Sequence, residues 1–151
     1  MAFCYLLEQL VLKFGYHEPS LNDIFSVLEE ISPQIAEHGT FNFCLSNGQA
    51  LFSYATTKLH WIIREYPFKQ ARLIDLDVDI DFSQFTTAED RVAVITTEPL
   101  THNEIWTAYK AGEMILFKDG QMVKTANTRI ERLIREATDP SLVRITKADQ
   151  Y

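Results

Sequence analysis

The hydrophobic period of this chain changes once, between residues 35 and 41, and that change constrains the fold more than any other feature. Phe3, Leu6, Leu7, Leu10, Val11 and Phe14 recur at the i, i+3, i+4, i+7 spacing that lines up one apolar stripe on a helix. Gly15 follows and can take the left-handed conformation that stops a helix, so a core helix is expected here. Pro19-Ser20-Leu21-Asn22-Asp23 reads as a second start, with Ser20 capping the free amides and Asp23 favouring the positive end. Leu21, Ile24, Phe25, Leu28, Ile31 and Ile35 carry the stripe toward Gly39. Pro33 has no amide donor and clashes with the preceding turn, which predicts a kink or a split near Ser32.

From Phe41 the period is two. Phe41, Phe43 and Leu45 alternate, Asn47-Gly48 follows, and then Ala50, Phe52 and Tyr54, the pattern of a hairpin with a type I′ turn. Pairing Ser46 with Gln49 places Phe43 opposite Phe52, Phe41 opposite Tyr54, and Cys44 opposite Leu51 on the other face. Both faces are partly apolar, which predicts a sheet covered on both sides. Further strands are expected from Leu59 to Arg64, over all or part of Arg72 to Phe82, from Val92 to Thr97, from Ile105 to Tyr109, and from Met114 to Phe117 with a turn at Asp119-Gly120. Helical spacing returns from Thr125 to Thr138 through Ile130, Leu133, Ile134 and Ala137, and Asp139-Pro140 ends it. Leu142, Val143 and Ile145 suit a short strand or a partner. The expected architecture is α+β: two N-terminal helices packed on antiparallel sheet in a layered domain, with an extra C-terminal helix.

With 151 residues, 46% of them apolar, the chain suits one compact domain or a large piece of one. The net charge of −7 argues against nucleic acid as a partner, since phosphate contacts need clustered lysine and arginine. The charge is uneven: residues 1–123 carry 8 basic and 17 acidic side chains, whereas residues 124–151 carry 6 and 4. The tail is therefore treated as a separate element, giving a division into 1–123 and 124–151. Two widely spaced cysteines, no basic-then-apolar leader and no apolar run long enough for a bilayer predict a soluble, cytoplasmic chain with no membrane partner.

Few side chains show a chemically useful pattern. In Asp75-Leu-Asp-Val-Asp-Ile-Asp81, period two would send Asp75, Asp77, Asp79 and Asp81 to one face, where calcium or magnesium could be drawn. Along a straight strand, at roughly 3.3 Å per residue, these carboxylates spread over about 20 Å and do not converge on one ion. A solvated edge strand whose like charges discourage pairing is the stronger reading. His17, His38, His60 and His102 lack metal-ligand spacing, and His60 beside Trp61 reads as a packed strand residue. Cys4, on the first helix, and Cys44, within a strand, are expected to be buried structural thiols.

Several short strings share one resemblance: Phe3-Cys-Tyr-Leu-Leu7, Phe41-Asn-Phe-Cys-Leu-Ser-Asn-Gly48, Leu59-His-Trp-Ile62, Pro67-Phe68, and Thr97-Glu-Pro-Leu-Thr101 with Trp106. In this order, from Phe3 to about Val123, the chain resembles the C-terminal half of single-domain class-II glutamine amidotransferases. The resemblance implies an N-terminal-nucleophile hydrolase fold, with two antiparallel sheets sandwiched between helix layers. It also implies hydrolysis of glutamine, with the ammonia passed to an acceptor.

That chemistry needs a thiolate at the mature N-terminus whose own α-amine takes the proton, an Asn-Gly oxyanion donor, and an arginine and an aspartate for the glutamine backbone groups. In the family these lie upstream of the segment matching Phe3, so the resemblance assigns no catalytic, cofactor-binding or metal residue here. Asn47-Gly48 mimics the oxyanion dipeptide, but its place between alternating strands marks a hairpin turn. Thr97 to Thr101, including Glu98, is expected to brace the sheet. The chain is accordingly expected to be inactive alone. It would bind glutamine only if a partner chain supplied the missing N-terminal half; the alternative is a non-enzymatic homo-oligomeric interaction module.

Overall fold

The residues from Ala2 to Phe14 form helix α1 and those from Leu21 to Ala36 form α2 in the computed structural model, which describes residues 1–68, 71–74, 79–80 (backbone only) and 87–138. Gly15 stops α1 at φ 56°, returning its amide to the Val11 carbonyl. A reciprocal cap starts α2: Ser20 Oγ accepts the Asp23 amide at 3.2 Å and the Asp23 carboxylate accepts the Ser20 amide at 3.1 Å. The Ser20 hydroxyl and amide hold the Asp23 carboxyl below its ordinary pKa.

Helix α2 runs through Pro33 to Ala36 as one element, correcting the split expected near Ser32. Pro33 stands in the last turn, where its missing amide forfeits a single bond, and the Glu37 amide closes that turn on the Pro33 carbonyl at 3.1 Å. Helix α1 also departs from expectation. Leu6 alone among its residues is fully buried, while Leu7 and Val11 from the anticipated core stripe are exposed.

Among the described residues, 1–41 and 128–138 make one compact unit. Its third helix, α3, spans Glu131–Thr138. The Glu37 carboxylate receives the Arg132 amide at 3.0 Å, and Arg132 Nε donates to the Ala36 carbonyl at 3.2 Å, so the end of α2 caps the start of α3. Arg132 also pairs with Glu136 at 2.7 Å, and Ile130 is buried just ahead of the helix.

Residues 42–127 make the second unit, which holds the sheets. The first sheet orders β1 (Phe43–Ser46), β2 (Leu51–Ala55), β8 (Glu113–Lys118) and β9 (Gln121–Asn127), all antiparallel. The second orders β6 (Arg91–Thr96), β3 (His60–Glu65) and β7 (Thr107–Ala108). A small pair joins β4 (Ala71–Arg72) to β5 (Asp79–Ile80). Strand β9 occupies residues expected to begin the C-terminal helix, which instead starts at Glu131. Pairing with β8 overrides the local helical spacing there, since Thr125, Ala126 and Asn127 stand opposite Ile115, Met114 and Glu113.

The β1–β2 hairpin is two residues off the expected register: Phe43 faces Tyr54, Cys44 faces Ser53 and Ser46 faces Leu51. Four residues, not two, close the loop. The Asn47 side-chain oxygen accepts the Gln49 and Ala50 amides, each at 3.1 Å, and Ser46 Oγ donates to the Ala50 carbonyl at 2.9 Å. These side-chain bonds replace the backbone closure of a two-residue turn. The shift is even, so every side chain keeps the face predicted for it. A two-residue hairpin loop with φ positive at both positions lies instead at Asp119-Gly120, at 51° and 69°.

Leu51, Ala55, Ile115 and Phe117 on one face of the first sheet pack with Leu59, Tyr109 and, from the second sheet, Trp61, Ile63, Ala93 and Ile95. Trp61 meets Phe117 edge to face at 6.0 Å. On the opposite face Phe43, Phe52, Tyr54, Met114 and Leu116 are also buried, so the sheet is covered on both sides as its composition predicts. No helix among the described residues is long and apolar enough to cross a membrane.

Candidate functional site

Strand β3 carries Trp61 and Ile63 inward, so period two turns His60, Ile62 and Arg64 to the outer face of the second sheet. There Arg64 meets Glu104 in a two-pronged ion pair, Nε to Oε1 at 2.8 Å and Nη2 to Oε2 at 2.6 Å. Thr101 Oγ1 donates to the same carboxylate at 2.6 Å, and Trp106 Nε1 donates to Thr101 Oγ1 at 2.9 Å. Burial pushes the Glu104 pKa up, but hydrogen bonds from Arg64 and Thr101 and the Arg64 charge outweigh it and hold the carboxyl below its ordinary value.

The segment around this cluster is tied down at both ends. Ile74 donates to the Leu100 carbonyl at 3.0 Å, His102 to the Arg72 carbonyl at 3.1 Å, and the Arg72 amide to Asn103 Oδ1 at 2.8 Å. At the other end His60 Nδ1 lies 3.0 Å from the Thr97 carbonyl, Thr96 Oγ1 donates to the Glu98 carbonyl at 2.7 Å, and Lys58 pairs with Glu98 at 3.1 Å. Residues 96–106 thus form a clasp between β3 and the β4–β5 pair, the bracing expected of Thr97 to Thr101.

A second polar group lies in the core. Ser53 Oγ is 2.6 Å from the Tyr109 hydroxyl and 3.2 Å from the Ile115 carbonyl, to which it donates. Ser53 has one proton, so the Tyr109 phenol donates to Ser53. Burial, with the Cys44 and Glu113 charges, drives the Tyr109 pKa far upward against the opposing Ser53 bond. The phenol therefore stays neutral.

Cys4 and Cys44 are both exposed, correcting the expectation of buried thiols. Cys4 lies two residues, about 200° of helix rotation, from buried Leu6. Cys44 lies on the edge strand β1. Although the residue is exposed, the protein around its sulfur raises the thiol pKa by desolvation, which disfavours the nucleophilic thiolate. Gly48 spends its amide on Ser46 Oγ at 3.1 Å, so Asn47-Gly48 acts as a loop closure.

Asp75, Asp77 and Asp81 lie outside the described residues. Backbone pairing sets Asp79 opposite Arg72 and Ile80 opposite Ala71, so of the strand expected over all or part of Arg72 to Phe82 the described residues hold the short antiparallel pieces at β4 and β5. Leu142, Val143 and Ile145 also lie outside the described residues. His17, His38 and His102 are exposed on separate elements, and no group of metal-binding side chains occurs among the described residues. The Arg64–Glu104 and Ser53–Tyr109 pairs went unread in the sequence because each joins positions 40 or more residues apart.

Residues 1–141 match the family described as glutamine amidotransferases class-II, a match that continues through α3. A Haemophilus influenzae protein, assigned by inference as a glutamine amidotransferase, is 43% identical over 122 residues, covering 81% of this chain and 41% of that protein. An Escherichia coli protein with the same inferred assignment is 41% identical over 122 residues, covering 81% of this chain and 48% of its own length. The crystal structure of a predicted glutamine amidotransferase from Pseudomonas aeruginosa superposes with a TM-score of 0.71 at 38% identity, covering 82% of this chain and 48% of that one. The chain thus spans about half, or less, of these relatives.

Proposed function

This chain belongs to the class-II glutamine amidotransferases, and from that membership we propose that it is the sheet-bearing portion of a glutamine hydrolase whose nucleophile comes from further polypeptide. One observation carries the proposal: its two cysteines stand inside α1 and β1, neither beside an α-amino group, and the Cys44 thiol is shifted away from ionisation. In an N-terminal-nucleophile hydrolase the cysteine thiol gives its proton to the adjacent α-amine, the resulting thiolate attacks the glutamine side-chain amide, and the α-ammonium passes the proton to the leaving ammonia. Water then hydrolyses the thioester to glutamate and restores the thiol.

In this reading the chain contributes rigidity. A sheet buried on both faces and a clasp closed by a two-pronged ion pair fix the strands to which a catalytic half would add. Two exposed, unpaired thiols suit a reducing compartment, and the proposal places the chain in the cytoplasm.

The test is glutamate release from glutamine by the chain alone and by the chain co-expressed with the part of the Escherichia coli relative outside the match. Turnover only in the co-expressed pair is the expected result. Glutamine hydrolysis by the chain alone, abolished by Cys4→Ser or Cys44→Ser, would overturn the proposal.

A further inference from the structure

Helix α1 carries only two charged side chains, Glu8 and Lys13, in thirteen residues. A helix apolar nearly all round belongs in an interior, because its free energy falls only when most of its surface leaves water. Yet Val11 is 66% exposed, Leu12 71% and Tyr5 46%. At 100° per residue, Leu7, Val11, Cys4, Glu8, Leu12 and Tyr5 follow one another around a single outward face. This face borders a groove lined by the apolar Tyr5 and Leu12 of α1 and Val27 and Ile31 of α2, together with four polar side chains, two from each helix. Apolar surface of this kind on one helix marks a contact site.

We infer that this face of α1 is the docking surface for the part of the class-II amidotransferase domain that the chain does not span. The inference rests on the proposed function and adds the surface through which the two parts join. The occupant follows from the lengths: the family match includes α1, while the alignments cover 41% of the Haemophilus influenzae relative and 48% of the Escherichia coli relative, leaving 59% and 52% outside them. A counterpart of α1 in those proteins therefore sits within a chain that has ample further polypeptide to cover it.

Cys4 provides the readout, since its thiol lies on the face in question. In a Cys44→Ser background, maleimide labelling of Cys4 would be compared between the full chain alone and the chain co-expressed with the unmatched part of the Escherichia coli relative. Labelling at least tenfold slower in the co-expressed complex is expected. Val11→Glu with Leu12→Glu should abolish both complex and protection, while circular dichroism of the chain alone stays unchanged because both positions are solvent-facing.

Failure to recover a complex, or a complex in which Cys4 reacts at its free rate, overturns the inference. Protection that grows with the concentration of the chain alone also overturns it, assigning the face to a second copy. Glutamine hydrolysis measured on the same complex separates the two ideas. Turnover without Cys4 protection leaves the functional proposal standing without this surface, and protection without turnover does the reverse.

Discussion

Replacing Glu104 with glutamine removes one charge from the clasp and almost no volume, so its effect measures what the ion pair contributes. The Arg64 and Glu104 side chains are 17% and 12% exposed. Breaking one side of a fully buried pair costs about 3–5 kcal/mol, and breaking an exposed pair about 0.2–1 kcal/mol. The residual exposure here places Glu104→Gln at about 2–3 kcal/mol, since Arg64 keeps a desolvated charge and Thr101 loses a charged acceptor. Arg64→Met with Glu104→Leu removes both charges and should cost less than the sum of the single changes by about 1.5 kcal/mol or more. Urea unfolding followed by tryptophan fluorescence suits the question, because Trp61 and Trp106 both lie in the sheet unit. At roughly 1–3 kcal/mol per molar urea, the Glu104→Gln midpoint should fall by about 0.7–3 M. The depressed Glu104 pKa adds a second signature. Its contribution to stability is fully present above the unfolded-state value near 4.5 and is lost as pH falls through the lower folded value, so Glu104→Gln should flatten the acid limb. Single changes that cost less than about 0.5 kcal/mol and add independently would refute the claim that this pair holds the clasp.

Gly120→Ala should destabilise the sheet unit by about 3 kcal/mol or more, because its φ of +69° disfavours a side chain and the new Cβ would fall 2.4 Å from the Arg91 carbonyl oxygen. Gly48→Ala, at φ +86° with nothing within 4 Å, should cost only about 1–2 kcal/mol, and the reverse order in urea midpoints would contradict this geometry. Tyr109→Phe should leave the tyrosinate absorbance that develops up to about pH 11 unchanged, since the buried wild-type phenol does not ionise in that range. A loss of about one sixth of that amplitude, for a chain with six tyrosines, would show that the phenol titrates normally.

The parts of the fold legible in the sequence were those fixed by local periodicity. Ser20 and Asp23 lie three residues apart, so the start of α2 could be read without knowledge of the rest. The faces of β1 and β2 followed from alternation, and an even shift of register left them intact. Register itself was not legible, because Asn47 has two ways of closing a turn: its backbone at φ above zero, or its side-chain oxygen. The side chain prevails here, while Asp119-Gly120 takes the positive-φ form at a site where Arg91 leaves no room for a Cβ. Residues 125–127 were read as helix, and 121–124 as no element, for a related reason. Their partner strand β8 sits next to them in sequence, but pairing leaves no periodic mark when one strand is mostly exposed. The burial of α1 was overestimated because a stripe records what a helix can bury, and only Leu6 is fully covered by this chain.

The family strings and the chemistry of the family separate at Thr97 to Trp106. Trp106, Thr101, Glu104 and Arg64 direct their polar atoms at one another, and Glu98 is drawn to Lys58. A side chain whose hydrogen bonds are already met within its own fold gains little by turning to a substrate, since each new bond would cost an existing one. Of the strings that carry the resemblance, Thr97 to Thr101 with Trp106 therefore holds strands in place. Such residues depend on their neighbours in the sheet, which accords with the proposal that the thiolate chemistry is supplied by further polypeptide. Loosening the clasp should then lower the stability of the sheet unit before it alters any glutamine turnover in a completed enzyme, whereas a change on the outward face of α1 should do the opposite.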